Sequence, residues 1–127
     1  MDKPENCISA AKAKAMEASW EATRGEALQK ALGYPDTHHT INSIKQIRDY
    51  LDYVEHKSLE EHILEPKISI FLEVYEKMEN RPPVSTFFLA PTKPVQIDEV
   101  VKDLPNYEID PYNLGEVPWP PDKYGTK

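Results

Sequence analysis

Nine of the chain's 12 prolines lie at or after Pro82, and this asymmetry constrains the fold more than any other feature of the sequence. Each proline removes a backbone donor and fixes φ, so it breaks a helix interior and a sheet ladder alike. Residues 1–80 are therefore free to be helical, and residues 81–127 are expected not to be over most of their length. The fold class read from the sequence is mostly α. An N-terminal helix and a short helical hairpin fill 1–80, and an extended proline- and aromatic-rich C-terminal tail fills 81–127, with a possible short helix near 98–104. At 127 residues the natural count is one domain.

Residues 9–32 read as one helix. Eight alanines between Ala10 and Ala31 give strong helix propensity. Ser9 or Asn6 can cap the start, and Gly33 stands where a left-handed cap is expected, followed by Tyr34-Pro35. Gly25 interrupts the pattern. The large apolar residues Ile8, Met16, Trp20, Leu28 and Leu32 form only a thin stripe, which suits a helix lying against another surface.

Ile41, Ile44, Ile47, Leu51 and Val54 predict an amphipathic helix over 41–57 capped by Thr40. Ser58-Leu59-Glu60-Glu61 matches a capping box, so a further helix is expected to start there with almost no loop. Pro66 either kinks that helix over 59–80 or opens a second one at its first position. Ile68, Phe71, Tyr75 and Met78 continue at helical spacing. The same run, 68–75, is also rich enough in β-branched and aromatic residues to be a strand, but Glu76-Lys77-Met78-Glu79 carries the helical pattern on. The expected core is Ile44, Ile47, Leu51, Val54, Ile63, Leu64, Phe71 and Tyr75, with Leu51→Ala costing about 2–5 kcal/mol if Leu51 is fully buried.

Beyond Arg81 the composition changes. Half of the 12 aromatic residues lie there: Phe87, Phe88, Tyr107, Tyr112, Trp119 and Tyr124. Simple disordered segments hold few aromatics. A proline-stiffened strand loses little entropy on docking while offering large apolar anchors, so these six are the candidate partner-binding residues. The competing reading is that they cover the chain's own helices.

The sequence offers little chemistry. With 22 acids against 15 bases the formal charge is −7, the wrong sign for neutralising phosphates, and no nucleic-acid binding is expected. The excess of acid is concentrated in residues 34–80. A single cysteine, Cys7, excludes a disulfide scaffold and a thiolate zinc finger. His38 and His39, with Asp36, share one loop, but adjacent side chains diverge and no further ligand stands at useful spacing, so no metal is expected. His56 and His62 make neither Glu-x-x-His nor His-Glu-x-x-His. Acidic residues 55, 60, 61 and 65 read as a solvated face. No serine lies in a Gly-x-Ser-x-Gly setting and no glycine-rich phosphate loop occurs. Pro91-x-x-Pro94 is the minimal polyproline pattern, which is common by chance. No catalytic residue and no cofactor is expected.

Residues 1–20 lack an apolar run uninterrupted by charge, and Glu17, Glu21 and Glu26 argue against a transit peptide. The expected location is cytoplasmic, or inside an organelle without a cleaved signal, with no membrane span. Three function classes follow. The first is a non-catalytic accessory or adaptor subunit docking on a larger protein complex through its helical face and tail. The second is an acidic regulatory inhibitor, antitoxin-like, blocking a basic partner. The third, a small enzyme, would require a pocket holding a carboxylate and a histidine with perturbed pKa values.

Overall fold

The alanine-rich N-terminal segment folds as its composition dictates. The computed structural model describes residues 1–126. In it, α1 (Ala10–Trp20) runs through a π-helical turn (Glu21–Gly25) into α2 (Glu26–Leu32). The Ser9 hydroxyl accepts from the Lys12 amide at 3.0 Å, which caps the first turn. The Glu26 amide reaches back five residues to the Glu21 carbonyl, so one extra residue is accommodated around Gly25, the point where helix propensity is weakest. Gly33 closes the helix at φ 87°, its amide donating to the Gln29 carbonyl at 2.9 Å. Alanine at this position meets the left-handed penalty, and Gly33→Ala is expected to cost about 1 kcal/mol in a thermal melt.

The chain divides into two compact units, residues 1–38 with 118–127, and residues 39–117. The first is the α1–α2 rod with the C-terminal segment, which ends in a 3₁₀ turn (Tyr124–Thr126). The second is a four-stranded antiparallel sheet with one helix, and it contains every buried apolar core residue among those described. The mostly α expectation is therefore corrected: residues 81–127 are not an extended tail but supply three of the four strands.

The helix of the sheet unit is α3 (Ile44–Glu60), capped by Ser43 rather than Thr40. Ser58 does not open a new helix. It lies in the last turn, where its carbonyl accepts the Ile63 amide at 2.8 Å while the His62 amide bonds Leu59 at 3.0 Å. His62, at φ 63°, is the left-handed residue of this Schellman-type end. Pro66 then cannot continue a helix, and the β-branched run forms β1 (Lys67–Tyr75). The strand reading of 68–75 is the one the structure bears out, and the helix over 59–80 is corrected.

Strand β2 (Val84–Ile97) is the centre of the sheet. One side pairs with β1 over nine residues, from Lys67 opposite Thr92 to Tyr75 opposite Val84. The other side is shared. β4 (Tyr112–Leu114) pairs with Phe87–Leu89, and β3 (Val100–Pro105) pairs with Thr92–Ile97. Asp98, at φ 53°, makes the tight turn into β3, in place of the short helix expected near 98–104. Prolines are tolerated in β2 where a ladder lacks a neighbour. Pro91 falls in the gap between β4 and β3, and its carbonyl accepts the Asn106 amide across that gap at 2.9 Å. Pro94 lies beyond Thr92, where β2 has no β1 partner.

Tyr50 and Val54 of α3, Leu89 of β2, Leu114 of β4 and Ile109 of the β3–β4 loop form the core, with Ile68, Phe87 and Tyr112 packed on it. Of the expected core only Val54 is buried. Ile47, Ile63 and Tyr75 are half-buried, while Ile44, Leu51, Leu64 and Phe71 are exposed. Residue 50, not 51, faces the sheet.

Candidate functional site

Leu89 carries the helix side of β2, so its neighbours Phe88 and Ala90 point to the opposite face. Register places Phe71 of β1 directly across from Phe88 on that face, and the rings stack at 5.2 Å with 17° between their planes. Beyond them, the break in the ladder between β4 and β3 lets residues 106–111 leave the sheet. The Asn106 side chain organises that loop: its Oδ1 accepts the Glu108 amide at 3.1 Å and its Nδ2 donates to Glu61 at 3.0 Å. The result is a groove of about 340 Å³. Phe71, Phe88 and Ala90 line its sheet side, Pro91, Pro105 and Pro111 its proline surfaces, and Ile109 and Tyr107 the loop side. Tyr107 is 90% exposed, a large ring held at the rim with little cover. The lining contains no carboxylate, imidazole, thiol or ammonium group, its polar side chains being the Asn106 amide and the Tyr107 phenol; the surface is suited to binding an apolar chain.

The six aromatic candidates are therefore not one set. Phe88 and Tyr107 line the groove. Phe87 and Tyr112 are half-buried on the helix side, where Tyr112 packs edge-on to Tyr50 at 5.0 Å. Trp119 and Tyr124 belong to the other unit. Trp119 meets Tyr34 edge-on at 6.1 Å, and Tyr124 is exposed. Phe71 and the three prolines were missed, because the sequence shows them as a core residue and as breakers. Only the register of β1 on β2 brings them together.

The first unit holds a carboxylate–histidine pair that is mostly buried, unlike the exposed His56–Glu60 pair on α3. Glu17 of α1 accepts from the amides of Tyr124 at 2.6 Å and Gly125 at 2.9 Å, and its Oε2 lies 3.0 Å from His38 Nε2. The His38 ring stacks on Trp20 at 4.8 Å. Burial alone would raise the Glu17 pKa, but the Tyr124 amide, then His38 and the Gly125 amide, outweigh it and hold the carboxyl at about 2. A carboxylate so committed to three donors stays ionised at any physiological pH, far from the value a general acid or base needs. It acts as a clasp, fastening the C-terminal turn onto α1. A polar cleft of about 200 Å³ beside it is lined by Trp20, Glu21, Asp36, His38 and Lys123, among others. Among the described residues no group of three or more His, Cys, Asp or Glu is placed to hold a metal ion, and no helix is long and apolar enough to cross a membrane. Cys7 is exposed.

No protein-family model, no curated protein and no solved structure matches the chain.

Proposed function

We propose that the protein is a non-catalytic accessory or adaptor subunit whose sheet unit receives an extended, proline-bearing apolar segment of a larger protein. The observation that carries this reading is the groove of aromatic rings and proline faces around the stacked Phe71 and Phe88. Aromatic-lined grooves take polyproline-type segments because such segments are already extended and lose little entropy on docking. The role of docking surface passes from a free tail to a folded face, and of the six aromatic candidates Phe88 and Tyr107 keep a place in it. The charge of −7 favours a second reading, an acidic inhibitor of a basic partner.

Titrating the full chain with extended apolar peptides, with and without proline, tests the first reading. Tyr107→Ala should weaken binding of the proline-bearing peptides roughly tenfold or more, the loss of one aromatic anchor. The melting temperature should not move, because Tyr107 is almost fully exposed. Binding that ignores Tyr107→Ala, or no binding by any such peptide, refutes the reading. An association rate that collapses as salt rises favours the inhibitor instead.

A further inference from the structure

The outer edge of β1 has no strand on it. β1 ends the sheet order, β2 covers one side of its nine residues, and nothing among the described residues pairs with the other. The edge is also apolar on the helix side of the sheet, where α3 leaves Ile70, Leu72 and Val74 exposed at 66%, 71% and 70%. Folded proteins usually blunt such an edge with charge, proline or a covering segment, since it is a template for strand pairing. Here the strand carries no proline and only Lys67 and Glu73 as charges.

We propose that the occupant of this edge is the β1 strand of a second copy, paired antiparallel about a two-fold axis through Ile70. An isologous contact requires a strand complementary to itself, and this strand is complementary in one register. With Ile70 opposite its own copy, Ile68 faces Leu72 and Val74 faces Pro66, so the exposed apolar row meets an identical row. On the other face Lys67 falls opposite Glu73, twice by symmetry, and opposite charges across a pair of strands attract. Moving the axis to Phe71 sets Lys67 against Tyr75 and Glu73 against Ser69. Moving it to Ser69 sets Glu65 against Glu73, two like charges. The Lys67 ammonium, 67% exposed, donates to Asp103 Oδ2 at 2.7 Å in the single chain, and in the pair it turns to the facing Glu73 instead.

Light scattering on the full chain at micromolar concentration should give twice the 14.6 kDa chain mass. Leu72→Lys puts a charge in the middle of the joined row without touching the core and should raise the dimer dissociation constant tenfold or more. In a Cys7→Ser background, Ile70→Cys should form a disulfide-linked dimer under mild oxidation, because that residue faces itself across the axis. Leu72→Cys should not, because its copy lies four residues away along the strand. A monomer at that concentration, a dimer indifferent to Leu72→Lys, or cross-linking through position 72 instead of 70 would each overturn the proposal. The groove plays no part in this inference, so a failure of peptide binding leaves it standing.

Discussion

Tyr50→Ala should lower the stability of the 39–117 unit by about 3–5 kcal/mol, the range for removing a large buried ring, while Leu51→Ala should cost about 1 kcal/mol or less. The two residues are adjacent on α3, and only their angular position separates them. Tyr50 is buried among Val54, Leu89, Ile109 and Leu114 and packs edge-on against Tyr112. Its hydroxyl donates to the Asp110 carbonyl at 2.9 Å, tying the β3–β4 loop to the helix. Leu51 is 36% exposed, so truncating it leaves a surface dent instead of a cavity. Tyr50→Phe isolates the hydroxyl and should cost about 1 kcal/mol. Burial above all, helped by Tyr53 and Asp110, pushes the Tyr50 phenol up to about 12, so the donor persists through the neutral range and the cost of Tyr50→Phe stays constant there. Urea midpoints for the three variants decide the matter. A Leu51→Ala midpoint below that of Tyr50→Ala would mean that α3 is turned differently on the sheet.

That contrast shows what periodicity conveys and what it leaves out. The spacing of Ile44, Ile47, Leu51 and Val54 marked the helix, and α3 runs through all four residues. The same spacing misjudged the buried face, because the sheet it packs on comes largely from residues whose prolines argued against one. Local signals with local causes were legible at Ser9, which caps α1, and at Gly33, which takes the left-handed position, whereas Pro66, expected to kink or open a helix, precedes a strand. Ser58 misled because one serine can serve either end of a helix, and the choice rests on whether His62 adopts a positive φ. The prolines misled for a similar reason. Pro91 forbids a ladder only if a neighbour asks for its missing amide, and the gap between β4 and β3 means that none does. Of the nine residues that line the groove, Phe88 and Tyr107 stood among the aromatic candidates. Its other residues become a site only when a nine-residue register sets Phe71 against Phe88, a non-local fact that composition does not encode.

In the first unit, Glu17→Ala should release the C-terminal turn and cost about 2 kcal/mol, in line with hydrogen bonds to a charged acceptor less the rehydration of two amides. The acceptor is a single carboxylate, 14% exposed, that gathers the Tyr124 and Gly125 amides and His38. The pH dependence follows from the same geometry. The Glu17 carboxyl is lowered from 4.5 to about 2, so the folded state holds the ionised form more tightly than the unfolded chain does. The contribution is therefore complete above the unfolded value and is lost as pH falls from about 4.5 towards 2. Amide exchange at Tyr124 and Gly125 reads the clasp directly: protection should hold at neutral pH and vanish with acid, ahead of the Tyr50–Leu89 core. Glu17→Gln keeps an acceptor but removes the charge, and should flatten that acid limb while leaving the neutral-pH protection only partly reduced. An acid limb unchanged in Glu17→Gln would assign the transition to other carboxylates and leave Glu17 as an ordinary surface acceptor.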